Sequence, residues 1–377
     1  MNKAIMGRLN FIIFLLIVLS IYFLIHFFVF LRLTRGLTLA PAYRTAVLII
    51  FILGGAAFFV DRLITRRVLP DPLAFAVFQA GAVWLGVISI AFTLFVVQYV
   101  LLFILPNRSR AVTMATLLLV FLVSSFALYR GTRLPRTRDV EIPLEGLSPA
   151  LSGFSIVQLS DLHLHRWTHA RWIEGVVERV NALAPDLIVI TGDLIEDDIK
   201  ECGRFIEILR RLRAREGVVA ITGNHEFYTG IENFHELCRK ANITVLRNEM
   251  ITLEQGLDIV GLDDPAGEMF PETRPDLASI LGEGEHTRPV VLLFHRPLHF
   301  TEAVRMGVDL QLSGHTHAGQ IPPMDLIVLL SYRYPYGLYR HHSSYLYTTC
   351  GTGIWGPPMR LFSRSEIVRI VLTSHSP

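Results

Sequence analysis

The stretch FSIVQLSDLHLH, residues 154–165, decides how the rest of the chain reads. Residues 155–159 form a short apolar run that predicts a strand, and Asp161 and His163 stand directly after it. The arrangement recurs. The apolar run 187–190 is followed by Gly192-Asp193, 218–221 by Gly223-Asn224-His225-Glu226, 290–294 by His295, and 310–312 by Gly314-His315-Thr316-His317. Between the first three, Trp172, Val176, Val180 and Leu183 recur at helical spacing, and 205–212 and 234–240 read as further helices. Strands alternating with helices predict an α/β fold whose largely parallel or mixed sheet carries helices on its faces. After Asn242 the helices thin out, and 244–246, 257–261 and 366–372 add strands. In open α/β sheets a ligand binds beyond the carboxyl ends of the strands, where these polar residues lie.

The strand ends deliver Asp161, His163, Asp193, Asn224, His225, His295, His315 and His317, and no cysteine. Carboxylates, neutral imidazoles and an amide oxygen suit a pair of borderline divalent ions (Mn, Fe, Zn or Co) better than a thiolate zinc site or an all-oxygen calcium loop. In an extended Asp161-x-His163 both side chains project to one side and reach one ion, and His315-x-His317 repeats the spacing. Gly192, Gly223 and Gly314 are expected to permit tight turns and close backbone approach at the strand ends. Any one of these motifs alone is as readily a turn or a hydrogen-bonded structural residue. The conjunction, in order and at successive strand ends, points to a metal centre.

The 377 residues are 51% hydrophobic and 18% charged, with a mean hydropathy of +0.45, which excludes both an ordinary soluble enzyme and intrinsic disorder. Cys202, Cys238 and Cys350 form no C-x-x-C and read as reduced structural thiols. The net charge of +2 averages two unlike parts: residues 1–130 hold two acids against eleven bases, and residues 131–377 hold 24 bases against 31 acids. Within 1–133, the apolar stretches 11–31, 45–60, 80–105 and 111–129 are near the length of a membrane span and predict about four transmembrane helices. Uncharged runs bordered by arginine have no polar face to show water, so buried core helices are the poorer reading. The first apolar run is too long for a cleaved signal peptide. The uncharged run 73–105 exceeds one level crossing and is expected to tilt, extend beyond the bilayer or break near Gly81 or Gly86.

Lys3, Arg8, Arg62, Arg66, Arg67, Arg130, Arg133, Arg136 and Arg138 fall on one side of such a membrane, and Arg32, Arg35, Arg44, Arg108 and Arg110 on the other. That imbalance places both termini and the large domain in the cytoplasm. His26, inside the first span, reads either as a proton or ligand site or as an interhelical hydrogen bond. Residues 134–152, with Pro135, Pro143, Gly146 and Pro149, read as a linker and edge strand, which leaves 153–377 as the compact domain.

The set D-x-H, G-D, G-N-H-[DE], a lone H and G-H-x-H, present in full and in that order between 154 and about 370, resembles the signature of the calcineurin-like metallophosphoesterase family. The resemblance implies a four-layer α/β/β/α sandwich, here preceded by the helical bundle. It implies that Asp161, His163 and His317 hold one metal ion, that Asn224, His295 and His315 hold a second, that Asp193 bridges the two, and that His225 faces the phosphate as the catalytic acid. Hydroxide activated by two metals would then hydrolyse a phosphodiester, pyrophosphate or phosphomonoester. The run 314–321 and Tyr336-Gly337-Leu338-Tyr339 are similar to a membrane-anchored bacterial branch of the family, and related enzymes cleave the pyrophosphate of a diacylated sugar nucleotide. A lipid-linked substrate at a bacterial cell membrane is therefore the expectation. The shortage of bases in 131–377 argues against nucleic acid. A phosphoprotein phosphatase and a non-catalytic phosphoesterase-fold scaffold are the alternatives, although scaffolds of that kind commonly lose ligands and none is missing here.

Other residues stay open to two readings. His165 is a further ligand or part of an exposed loop, and His299, His341 and His342 line the substrate mouth or lie on surface loops. Glu226 orients His225 or simply begins a helix as an N-terminal acid. The apolar run 324–330, with Tyr332, Tyr334, Tyr336 and Tyr339, is a surface resting at the lipid interface or part of the core.

Overall fold

The computed structural model describes residues 3–60, 68–145, 147–269, 277–282 and 286–374. Arg62, Arg66, Arg67 and Gly146, used above for membrane orientation and for the linker, lie outside these residues. The chain divides into two compact units. One comprises Met1–Thr132 with the short stretches Ile321–Pro323 and Gly356–Leu361; the other comprises Arg133–Gln320, Met324–Trp355 and Phe362–Pro377.

The first unit is built on α1 (Lys3–Gly36), α2 (Pro41–Val60), α3 (Asp71–Ile104) and α4 (Ser109–Gly131). It offers four stretches long and apolar enough to cross a membrane: Leu15–Gly36, Pro41–Val60, Asp71–Ile104 and Pro106–Gly131. Contrary to the break considered near Gly81 or Gly86, α3 is one continuous helix of 34 residues. Those glycines serve close approach instead. A Cβ at Gly81 would collide with the α2 backbone at Ala57 and Phe58, and one at Gly86 with Pro357 and Met359.

Several polar side chains inside this unit pair with one another, because apolar surroundings leave an unmade hydrogen bond uncompensated. Arg32 Nη2 donates to Gln98 Oε1 at 3.0 Å, and Gln98 Nε2 donates to Thr113 Oγ1 at 2.7 Å, tying α1, α3 and α4. His26 Nε2 accepts from Trp84 Nε1 at 3.0 Å, the interhelical hydrogen bond of the two readings above. The two short stretches are held in the same way: Ser89 Oγ donates to the Pro322 carbonyl at 2.7 Å, and the Arg360 amide to the Ala127 carbonyl at 3.0 Å.

Among its described residues the second unit contains twelve strands: β1 (Arg136–Leu144), β2 (Ser155–Leu159), β3 (Leu187–Thr191), β4 (Val218–Ile221), β5 (Thr244–Val245), β6 (Glu249–Thr252), β7 (Asp258–Leu262), β8 (Val290–Phe294), β9 (Leu310–Ser313), β10 (Gly337–His341), β11 (Ser344–Thr348) and β12 (Glu366–Ser374). They form two six-stranded mixed sheets, ordered β1-β12-β2-β3-β4-β5 and β10-β11-β9-β8-β7-β6. The period of two decides the layers. Ile156, Val189, Val219 and Ile221 from one sheet meet Ile259, Val291, Leu293 and Leu312 from the other in a shared core. Their alternates Val157, Ile188, Ile190 and Ala220 turn outward, against α5 (Ala170–Ala182) and, beyond α6 (Asn224–Thr229), against α7 (Ile231–Lys240). On the opposite face Val260, Leu262, Leu292 and Phe294 pack against the helix α8 (Phe300–Arg305). This is the α/β/β/α arrangement.

Strands β2, β3 and β4 run parallel, as do β7, β8 and β9, so their carboxyl ends gather at one edge of each sheet. Buried Gln158 joins the sheets there, donating from Nε2 to Thr191 Oγ1 at 2.9 Å and to the Ser313 carbonyl at 3.1 Å. Two departures from the sequence pattern have local causes. Residues 205–212 hold only the one-turn helix Ile206–Leu209 between turns, and the tyrosine-rich 337–348 forms the β10–β11 hairpin.

Truncating Ile156, fully buried in the core between the sheets, removes contacts to both at once. Ile156→Ala is expected to cost about 2–5 kcal/mol. All three cysteines are buried and in no disulfide, so a thiol-reactive dye reports unfolding of the detergent-solubilised chain directly. A midpoint equal to that of the wild type would contradict this packing.

Candidate metal centre

At the ends of β2, β3 and β9 the backbone changes direction sharply and aims side chains at a common point. Asp161 (φ 54°), His163 (φ 47°), Asp193 (φ 51°), His315 (φ 70°) and His317 (φ 50°) all adopt the left-handed conformation that non-glycine residues rarely take. The extended geometry read for Asp161-x-His163 and His315-x-His317 is thus corrected: strands β2 and β9 end before these residues, and left-handed loops converge their side chains. Left-handed non-glycine residues cost of order 1–3 kcal/mol each and persist where the surroundings over-determine them. Of the three glycines, Gly192 has a positive φ of 88°. Gly223 and Gly314 are required by proximity, since a Cβ at either would strike the Asp193 or the Asp161 carboxylate.

The side chains meet in three overlapping trios whose ligand atoms lie within 4.8 Å of one another: Asp161, His163 and His317; His163, Asp193 and His225; and Asp193, His295 and His315. His317 Nε2 stands 3.3 Å from Asp161 Oδ1 and 3.0 Å from His163 Nε2. His295 Nε2 stands 3.1 Å from Asp193 Oδ2 and 3.2 Å from His315 Nδ1. Asn224 is buried, and its Oδ1 has no hydrogen-bond partner among the described residues.

The outer nitrogens fix the inner ones. His295 Nδ1 faces the Thr191 carbonyl at 2.7 Å, and His163 Nδ1 faces the Glu196 carboxylate at 2.8 Å. Both partners only accept, so in the neutral imidazoles each Nε2 lone pair is aimed inward at carboxylate oxygen. Two carboxylates, several imidazole nitrogens and an orphaned amide oxygen converge here, a donor set that fits a cation, which could be held here.

Proton affinities show the same surplus of negative charge. Burial raises Asp161, and the neighbouring Asp193 charge helps keep it raised; burial also acts on Asp193, yet the His295 imidazole overrides it and holds that carboxyl well below its usual range. Burial lowers His295, but Asp193 lifts it to about 10. His225 is likewise penalised by burial and lifted to about 9 by Glu196 and Asp193. His315, buried and facing the His295 and Arg296 charges, is pushed down to about 3. A proton on His295 and a divalent ion beside it are alternative answers to one electrostatic demand.

The chain around the site supplies residues that the sequence motifs did not single out. Glu196 Oε1 contacts His163 Nδ1 at 2.8 Å and His225 Nδ1 at 3.0 Å, so one carboxylate serves two imidazoles. A second acid three residues after Asp193 was the available signal. Ser160 Oγ donates to Asp161 Oδ2 at 2.5 Å. The Trp355 and Tyr228 rings lie 6.2 and 5.5 Å from that of His225.

Glu226 makes no hydrogen bond to the His225 ring; it completes a capping box at the start of α6 and reaches further. Its Oε2 accepts from the Gly223 and Asp193 amides at 2.7 and 2.9 Å, and its Oε1 from Leu194 and Ile195 at 2.7 and 3.2 Å, pinning two strand-end loops together. His165 instead closes its own turn, its Nδ1 accepting from the Trp167 amide at 3.1 Å. His299 pairs with Glu302, and His341 and His342 pack on each other where β10 ends. None of these joins the trios. Glu226→Gln retains one acceptor oxygen and turns an amide group toward backbone donors, each of which costs about 1–3 kcal/mol when left unsatisfied. The variant is expected to melt lower and to retain less metal after desalting, read by dye melting and elemental analysis. Wild-type values in both would remove the pinning role.

Residues 154–319 match the sequence profile described as calcineurin-like phosphoesterase. The chain is 35% identical over 272 residues to a Danio rerio protein called transmembrane protein with metallophosphoesterase domain, covering 69% of this chain and 62% of that one. It is 34% identical over 246 residues to an uncharacterized metallophosphoesterase of Helicobacter pylori, covering 65% of each. The chain thus spans less than two thirds of the length of those two relatives. An uncharacterized metallophosphoesterase of Campylobacter jejuni is 31% identical over 373 residues, covering 95% of this chain and 97% of that protein. A relative matched along nearly its whole length, together with convergent strand ends bearing every position of the motif set, shows that the chain belongs to the calcineurin-like metallophosphoesterase family.

Proposed function

We propose that this protein is a membrane-anchored, metal-dependent phosphoesterase that hydrolyses a phosphodiester, pyrophosphate or phosphomonoester on a lipid-linked substrate. The observation that carries the chemical part is the set of overlapping trios that close around shared Asp193 and His163. Asp161, His163 and His317 would hold one divalent cation, and Asn224, His295 and His315 a second, with Asp193 between them. When bound, such a pair of cations supplies Lewis acidity toward phosphoryl oxygen and makes water acidic enough to attack near neutrality.

The chain's own residues do the rest. Thr191 and Glu196 hold the His295 and His163 rings with Nε2 inward, so these ligands need no reorganisation. His225 is the proton donor: with Nδ1 anchored on Glu196, it presents Nε2 to the leaving oxygen and passes the proton as the phosphorus–oxygen bond breaks. His225→Asn is expected to lower kcat toward bis(p-nitrophenyl) phosphate by about 10²–10⁴-fold, the usual worth of a positioned acid. Elemental analysis should find its metal content near that of the wild type. Full turnover in this variant would reassign His225.

The lipid part of the reading is supported by α9 (Met324–Ser331), which follows His317 by a few residues. Of its large apolar side chains Val328 is buried, while Leu326, Ile327, Leu329 and Leu330 are exposed, Leu330 to 78%. Core packing, the other reading of this run, is corrected by that exposure. An apolar helix face of this kind on a chain that carries four helices of membrane-spanning length suits a lipid surface. Leu329→Glu with Leu330→Glu is expected to reduce turnover of a polyprenyl diphosphate in mixed micelles tenfold or more, with bis(p-nitrophenyl) phosphate hydrolysed within twofold of the wild type. Equal turnover of the micellar substrate by both proteins would remove α9 from lipid access.

A further inference from the structure

Beside the candidate metal ligands, a pair of adjacent buried acids follows β7, and each is met by an arginine. Asp263 takes Arg247: Nε reaches both carboxylate oxygens at 3.0 and 3.1 Å, Nη2 reaches Oδ2 at 2.8 Å, and Nη1 lies 3.5 Å from His235. That guanidinium is engaged at all three of its nitrogens. Asp264 takes Arg296, the residue after His295, differently. Arg296 Nε donates to Asp264 Oδ2 at 2.8 Å and Nη2 to Oδ1 at 2.9 Å, a side-on clamp that uses one edge of the guanidinium. Asp264 is fully buried and fixed by its own backbone, its amide donating to Thr222 Oγ1 at 3.1 Å and its Oδ1 accepting from the Ala266 amide at 2.8 Å.

A guanidinium carries five N–H donors in a rigid fork. The side-on clamp consumes two and leaves the end-on edge, Nη1 and the second Nη2 hydrogen, which has no acceptor among the described residues. A quarter of the Arg296 side chain is exposed. Geometry places it beside the candidate ligands: it directly follows His295, whose Nε2 stands 3.2 Å from His315 Nδ1, and its carbonyl accepts from Ser313 Oγ at 3.3 Å. The Tyr332 ring lies 5.8 Å from His315, and Tyr228 lies 5.5 Å from His225 on the proton-donor side.

The geometry points to Arg296 as the group that binds a second phosphoryl of the substrate, selecting disubstituted diphosphates over substrates with one phosphorus. This rests on the phosphoesterase reading above and narrows its substrate class. The bidentate match between an arginine edge and two phosphoryl oxygens sets the second phosphorus beside His315, while the trios engage the first.

The test is equilibrium binding to the full-length protein in detergent with Mn²⁺, using two ligands that share a nucleoside: the α,β-methylene analogue of UDP-glucose and the methyl ester of UMP. The wild type should prefer the two-phosphorus ligand, and Arg296→Ala should reduce that preference by 10- to 100-fold. Arg296→Lys, which keeps the charge but not the fork, should fall between. Dye melting and elemental analysis identify any variant that has merely unfolded or lost metal, and Arg296→Lys keeps the comparison meaningful should Arg296→Ala do so. An unchanged preference, or equal weakening of both ligands, overturns the assignment of Arg296. Wild-type turnover of bis(p-nitrophenyl) phosphate, measured in parallel, separates the two claims: its presence beside an unchanged preference overturns Arg296 alone, and its absence overturns the phosphoesterase reading and this one with it.

Discussion

Everything in the second unit answers to one electrostatic constraint: Asp161, Asp193 and several inward imidazole lone pairs are buried together where two parallel strand sets end. Carboxylates crowded in low dielectric repel one another and forgo hydration, an arrangement that is unfavourable unless a compensating charge is present. The fold meets the cost in layers. Strands fix the backbone on both sides, left-handed turns direct the side chains inward, and backbone amides from His315 and His225 donate to Asp161 and Asp193. What remains is a cluster of carboxylates whose counter-charge is either a proton on His295, raised to about 10, or a bound cation, and the trios of ligand atoms suit the second.

The legibility of this arrangement in the sequence was uneven for physical reasons. Strand positions could be read because β-branched runs such as 187–190 and 218–221 have no polar alternation and end in glycine or a polar motif. The identity of the converging residues could be read as well, since a strand end presents its next residues at a known edge of the sheet. Backbone handedness could not: nothing in Asp-x-His distinguishes an extended run from a left-handed turn, and the structure takes the second. The β10–β11 hairpin was masked by tyrosines, which suit a strand, a core and a lipid interface equally. Glu226 could be recognised as a helix-start acid because capping is local; its reach to Asp193, Leu194 and Ile195 is tertiary and leaves no sequence signature.

The first unit shows the limits of composition in another way. Length and apolarity indicated four helices, but the run 73–105 exceeds one level crossing, which left a break at a glycine of α3 open beside tilt and extension beyond the bilayer. Packing instead favours glycine where two backbones must approach, as Gly81 does against Ala57 and Phe58. Paired polar groups obey the same rule. Arg32, Gln98 and Thr113 are scattered in sequence and would each look like an impurity in an apolar run, yet in space they satisfy one another across three helices.

Glu196 carries the argument about mechanism furthest, because one of its oxygens serves both a prospective ligand, His163, and the prospective acid, His225. A carboxylate shared in this way links two tasks that opposite charges would otherwise set against each other. Cations near His163 favour a neutral ring there and disfavour an imidazolium at His225, since like charges repel. The anionic Glu196 lies between them, lowering the cost of positive charge on His225 while orienting the His163 lone pair inward. It is held well below the usual carboxylate range by these same two imidazoles, against the effect of its own burial. Were the site to hold cations and a transferable proton at once, Glu196 would be the group that reconciles them, and a motif that stops at Asp193 passes over it.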